Sequence, residues 1–133
     1  MKGYCNNIEK QTLENDDFRR VLYTGKNLQL VLMTLPPGCD IGAEVHPDRD
    51  QFFRIEEGDG VIEIDGVANP VEDDFAVIVP AGARHNVINN SSEPLRLYTI
   101  YGPPEHLDGI VHATKEEAEA RHRDEEWDGQ ATE

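Results

Sequence analysis

The feature that most restricts what this chain can fold into is its run of short apolar segments, each cut off within a few residues by turn-forming ones. Val21-Leu22-Tyr23-Thr24 stops at Gly25-Lys26-Asn27. Leu28 to Leu35 is almost continuously apolar, as expected of a strand covered on both faces, and breaks at Pro36-Pro37-Gly38. A strand is predicted around Ala43–His46, and another over Gln51–Glu56 that ends at Glu57-Gly58-Asp59-Gly60. Val61–Ile64 and Val67–Val71 flank Asp65-Gly66, a two-residue hairpin signal. Phe75–Val79 leads into Pro80, and Asn86–Asn89 ends at Asn90-Ser91-Ser92-Glu93-Pro94. Leu95–Tyr101 alternates, with Leu95, Leu97, Thr99 and Tyr101 opposite Arg96, Tyr98 and Ile100. So many short strands at close spacing predict an all-β sandwich or barrel. Gly102-Pro103-Pro104 ends the β region. Thr114-Lys115-Glu116-Glu117 has the form of a capping box and predicts a short C-terminal helix reaching about Asp124. Residues 1–20 read as a polar arm tied down by Ile8, Leu13 and Phe18.

Two stretches carry chemistry. In the first, Glu44 and His46 are two residues apart, so on a strand they share a face. Gln51 adds an oxygen or nitrogen donor, and Gly58 follows. In the second, Pro80, Gly82, His85 and Asn89 bring another imidazole just after a Pro-x-Gly turn. Two imidazoles and one carboxylate converging on a point form a ligand set for a divalent metal with open positions. Either histidine alone would read as a hydrogen-bonded structural residue; the joint spacing points to a metal. Gly58, Gly60, Gly66 and Gly82 read as turn residues, Asn89 as a structural hydrogen-bonding residue, and Asp48 and Asp50 as loop residues.

The paired stretches resemble the two motifs of the cupin superfamily, the small double-stranded β-helix barrels. The first motif has a ligand pair two apart, a third ligand about five residues on and a glycine seven beyond; the second is Pro-x-Gly, two residues, His, three residues, Asn. The resemblance spans roughly residues 36–100 and is similar to the small cupins grouped as mannose-6-phosphate-isomerase-like. It implies an all-β cupin double-stranded β-helix (jelly-roll) barrel with a short C-terminal α-helix. Residues 1–133 would form one domain, with a barrel core of about 20–101 and a C-terminal loop and helix over 102–133. Three positions depart from the pattern: Glu44 replaces the usual His, Gln51 the usual Glu, and Asp74 a usual glycine. One carboxylate is kept but moved. The implied metal set is therefore Glu44, His46 and His85, with Gln51 as a weaker fourth donor.

Such a set suits Fe, Mn, Zn, Ni or Co in the divalent state, with two or three positions left for water, substrate or dioxygen. Gln29, Phe53, Ile55, Arg96, Tyr98 and Tyr101 could line the interior around the ion, though packing is the stronger reading for each. Strand parity puts Phe53 and Ile55 on the side of Gln51 and Arg54 on the other. The segment from Pro103 to His112 holds two histidines and two acids. In the resembling proteins such a Pro-Pro-x-His stretch can fold over the barrel mouth, making His106 and Asp108 lid, acid/base or plain loop residues. A metal-dependent enzyme of dioxygenase or sugar isomerase/epimerase type follows, with a non-catalytic small-ligand binding or sensing module as the alternative. A sugar phosphate would need a clamp, for which Arg54, Arg84 and Arg96 are the arginines near the right strands.

The 133 residues carry 27 acids against 12 Lys and Arg, a formal charge of −15, which argues against nucleic acid and anionic membranes as partners. Cys5 and Cys39 are isolated, and the N-terminus lacks the apolar stretch of a signal peptide, so a reducing cytoplasm is expected. Acids outnumber bases from Lys115 to Glu133, which reads as a solvated helix with a frayed end. Cupins of this kind commonly pair as homodimers, and pairing would cover exposed strand edges.

Overall fold

The computed structural model describes residues 1–121 and 124–133. Ten strands follow one helix and precede another. They are α1 (Ile8–Glu14), β1 (Arg19–Thr24), β2 (Gln29–Leu35), β3 (Glu44–Val45), β4 (Asp50–Glu57), β5 (Gly60–Ile64), β6 (Val67–Val71), β7 (Ala76–Val79), β8 (Arg84–Ile88), β9 (Leu95–Gly102), β10 (Val111–His112) and α2 (Lys115–Arg121). They form a six-stranded sheet, β10-β1-β2-β9-β4-β7, and a four-stranded sheet, β3-β8-β5-β6. Every pairing is antiparallel. The jelly-roll expected from the sequence is the fold observed.

The core lies between the sheets. Val31, Met33, Leu35, Phe53, Ile55, Ile62, Val87, Leu95 and Leu97 close it almost completely to solvent. On β9 the inward residues are Leu95, Leu97, Thr99 and Tyr101, as the alternation predicts. All of β2 is buried, because its outer face is covered too. The cover is α1, which packs on β2, β4 and β9. This helix sits in the stretch read as a polar arm. Its start is set by Asn7, whose side-chain oxygen accepts from the Lys10 amide at 3.0 Å.

Local chemistry fixes the turns. Asp65 and Gly66 have φ of 47° and 82°, the left-handed pair that a two-residue hairpin needs. Asp74, where the cupin pattern has glycine, also lies at positive φ, 71°. Aspartate tolerates that region better than most side chains, and its carboxylate is anchored by Arg54 at 3.1 Å. Gly58 is required sterically: a Cβ there would stand 2.6 Å from the Pro94 carbonyl oxygen.

The C-terminal region departs from expectation. The capping box forms, with the Glu117 amide donating to Thr114 Oγ1 at 3.2 Å; Glu117 in turn accepts from Ala113, one residue before the cap. The helix is described as far as Arg121; the expected continuation through 122 and 123 lies outside the described residues. The acidic tail beyond is not a frayed end. The Leu107 amide donates to Glu125 and the Trp127 amide to Glu105, so the tail pairs with the segment after β9. Further on, the Thr132 amide donates to the Thr24 carbonyl at 2.8 Å, and Glu133 accepts from the Tyr23 hydroxyl at 2.6 Å. Backbone pairing to a neighbouring segment holds these acids against their mutual repulsion.

Candidate metal centre

Register brings the two motifs together. Glu44 on β3 pairs with His85 on β8, and Gln51 on β4 pairs with Tyr101 on β9. The Gly82 amide donates to the His46 carbonyl at 2.9 Å, tying the turn of one motif to the ligand strand of the other. Asp50, read as a loop residue, adds a second tie by accepting from the Ala81 amide at 2.8 Å. Asn89 donates to the Leu35 and Glu93 carbonyls at 2.9 and 2.8 Å, the structural role expected of it.

Glu44, His46 and His85 each present a ligand atom, and all three atoms lie within 4.8 Å of one another. His46 Nε2 stands 3.1 Å from Glu44 Oε2, and His85 Nε2 stands 3.1 Å from Gln51 Oε1. With bonds of about 2.1 Å, adjacent ligand atoms of an octahedral ion stand about 3.0 Å apart and opposite ones about 4.2 Å. Glu44, His46 and His85 therefore fit a divalent transition metal in both spacing and chemistry, and Gln51 Oε1 lies beside His85 as a candidate fourth donor.

The surroundings orient each donor. His85 Nδ1 faces the Ala83 carbonyl at 3.3 Å, and His46 Nδ1 faces Glu105 Oε2 at 3.5 Å, so each ring turns Nε2 inward. Glu105 is itself held by Arg49. Gln51 Nε2 donates to Thr99 Oγ1 at 3.0 Å, while the Thr99 hydroxyl donates to the Phe52 carbonyl at 2.8 Å. Thr99 thus points the amide oxygen, not the nitrogen, at the site. Sequence reading missed Glu105 and Thr99. Thr99 was signalled by the inward parity of β9; Glu105 belongs to a loop whose path no local pattern sets.

Electrostatics follow from this packing. Burial pushes the Glu44 carboxyl up, but the hydrogen bond with His46 and the nearby positive groups outweigh it, leaving it below the usual range. Burial pulls His46 down, yet the bond to Glu44 and the charge of Glu105 raise it overall. His85 is lowered, chiefly by burial, and so is held neutral. Burial raises the Tyr101 phenol well above its ordinary value.

The other residues expected at the pocket divide by position. Tyr101 is buried beside the donors, its ring edge-on to His46 with centroids 5.9 Å apart. Its hydroxyl shares a 3.3 Å hydrogen bond with His106 Nε2. Phe53 and Ile55 are core residues below the site, Phe53 packing edge-on to His85. Gln29 is fully buried and grips the returning chain: it accepts from the His106 amide at 3.0 Å and donates to the His106 carbonyl at 2.7 Å. Arg96 and Tyr98 are not in the pocket. They occupy the opposite face of β9, where Arg96 binds the Asn15 carbonyl and pairs with Asp16, and Tyr98 packs on Phe52. Arg54 also points away, pairing with Glu56 and Asp74, and Arg84 is exposed. Arg49, which holds Glu105, is at the mouth, and a further arginine, Arg19, faces inward from β1 on the side of Val21. It was overlooked because the strand was begun two residues late.

The segment after β9 folds over this end of the sandwich and brings Glu105 to the site. A cavity of about 440 Å³ opens there, lined by Glu44, His46, Asp48, Arg49, Glu105 and Trp127 among others. That size suits a small organic ligand.

The profile of the cupin domain family matches residues 31–101, the span that contains all four donors. The chain belongs to the cupin family. This cupin is 47% identical to the uncharacterised protein YrkC of Bacillus subtilis (strain 168), over 90% of its own length and 67% of that protein's. It is 32% identical to the tetracenomycin polyketide synthase protein TcmJ of Streptomyces glaucescens, over 52% of its length and 46% of TcmJ. The crystal structure of BH2720 from Bacillus halodurans superposes on the cupin with a TM-score of 0.88, at 46% identity, covering 90% of this chain and 95% of that one.

Proposed function

We propose that this cupin is a metal-dependent enzyme acting on a small molecule that binds the ion directly, with Glu44, His46, His85 and Gln51 as the metal ligands. One observation carries the reading. Both nitrogens of His85 face acceptor oxygens, the Ala83 carbonyl and Gln51 Oε1, and a neutral imidazole can donate from only one of them. A divalent cation between His85 Nε2 and Gln51 Oε1 would satisfy both, and the neighbouring carboxylate and imidazole suit such a metal.

When bound, the ion would supply Lewis-acid or dioxygen-activating chemistry. The chain's own residues do the rest. Glu105 and Ala83 hold the tautomers of His46 and His85, and Thr99 holds the Gln51 amide. The Tyr101–His106 pair offers a proton-bearing group at the edge of the donors. Trp127 and Arg49 wall the open side. Two reaction classes fit: oxygenation, and isomerisation or epimerisation of a hydroxy-carbonyl compound as the mannose-6-phosphate-isomerase-like grouping suggests. The name of TcmJ, a polyketide synthase protein, is in keeping with small-molecule work. We further place the protein in the cytoplasm, as one domain, acting as a homodimer. No described helix is long and apolar enough to cross a membrane.

The test is elemental analysis of protein purified without a metal-affinity column, beside a His46→Ala/His85→Ala control. About one equivalent of transition metal in the wild type and none in the control is expected. Iron directs assays to dioxygen uptake, and manganese or zinc to isomerase assays. No metal, and no uptake of Fe(II), Mn(II), Ni(II) or Zn(II), would leave a non-catalytic binding module as the account.

A further inference from the structure

We propose that Arg19 anchors a carboxylate group of the ligand, in a second cavity that meets the candidate metal centre at Glu44. This cavity, about 320 Å³, is lined by Phe18, Arg19, Ile41, Glu44, Lys115 and Ala118 among others. The metal reading above supplies the neighbouring ion; the anchor itself rests on Arg19.

Arg19 is only 7% exposed. Its Nε is buried without a hydrogen-bond partner, and no side-chain hydrogen bond or ion pair engages its guanidinium among the described residues. The Phe18 ring lies 5.4 Å from the guanidinium carbon, and the buried Tyr101 is close enough to feel its charge. Glu44 is close enough to feel the charge but forms no ion pair with it. A guanidinium in this position is costly, since burial removes water from its Nε–H and no protein acceptor replaces it. The other partly covered arginines differ: Arg49, Arg54 and Arg96 all carry carboxylate partners. Nor can Arg19 withdraw, because its backbone is paired with His112 at the sheet edge.

The ligand's chemistry follows from the walls. A guanidinium fork matches a planar carboxylate with two parallel hydrogen bonds. Lys115, the other cation on the cavity, is already held by Asp40 at 2.6 Å. Glu44 and Glu119 flank the cavity, so a singly charged carboxylate is favoured over a phosphate dianion. Phe18, Ile41 and Ala118 provide an apolar wall for a short hydrocarbon body.

The experiment is isothermal titration of the full chain, metal-loaded and metal-free, with butyrate, butyramide and inorganic phosphate. Butyrate should bind saturably, with butyramide and phosphate weaker by about tenfold or more, since only the carboxylate completes the fork. Arg19→Met should weaken butyrate by about tenfold or more with bound metal unchanged, and Arg19→Lys should fall between. Three results would overturn the proposal: no saturable butyrate binding, butyramide or phosphate binding as well as butyrate, or undiminished butyrate binding by Arg19→Met. If Arg19→Met does not fold, the butyrate–butyramide comparison on the wild type still decides. Butyrate binding that depends on Arg19 in a chain unable to take up metal would sink the metal reading and leave the anchor standing. Bound metal without butyrate binding would do the reverse.

Discussion

Single side chains set the quality of the candidate metal site. Glu105 matters most among those that are not ligands, because it faces His46 Nδ1 and is itself fixed by Arg49. Removing such a partner typically costs about 10- to 100-fold in metal affinity. Glu105→Gln should therefore weaken Mn(II) or Fe(II) binding by that order in a chelator competition, without unfolding the protein. An unchanged affinity would remove Glu105 from the site. At this scale the sequence was legible where spacing does the work. Glu44 and His46 share a strand, and the Pro-x-Gly turn sets where His85 enters β8. Glu105 was illegible, since it arrives by a loop, and Arg19 was missed because β1 begins two residues before the apolar run that signalled it.

Turns and helix anchors are the weak links between elements. Asp74 holds a left-handed conformation at φ 71°. A β-branched residue there is strained, so Asp74→Val should destabilise by about 1–2 kcal/mol in urea unfolding. Asp74→Gly should be near neutral, trading the relaxed backbone for the lost Arg54 contact. α2 is tied to the barrel through Asp40, which accepts from Asn86 and pairs with Lys115. The Asn86 bond and then the Lys115 bond hold the Asp40 carboxyl below its ordinary value of 3.8. Its folded-state pKa is depressed, so its contribution is present above pH 3.8 and lost as pH falls below it. The pair is partly exposed, so the contribution is small, under about 1 kcal/mol. Acid titration of wild type against Asp40→Asn should show the two stability curves converging below that pH. A constant gap down to pH 2 would assign Asp40 no charge-dependent role.

On the scale of the whole molecule, β7 is one edge of the larger sheet, and Ile78 on it is 67% exposed, with Phe75 just before the strand at 44%. An apolar open edge favours pairing with another chain. The expected homodimer should sediment as such in the wild type and shift to monomer in Ile78→Lys. A wild type that sediments as a monomer would end that proposal. The sequence by itself determined most of the strands, though not β10 or the start of β1, together with the hairpin at Asp65-Gly66, the all-β class and the donors that share a strand or a fixed turn. These depend on period-two alternation and on backbone angles that few residues accept, both of which are local. The tertiary structure decided what covers the outer face of β2, where the acidic tail goes, that Glu105 reaches His46, and that Arg19 rather than Arg96 faces inward. Those outcomes depend on which distant surfaces meet and on which buried polar groups find partners there, and no local pattern encodes either.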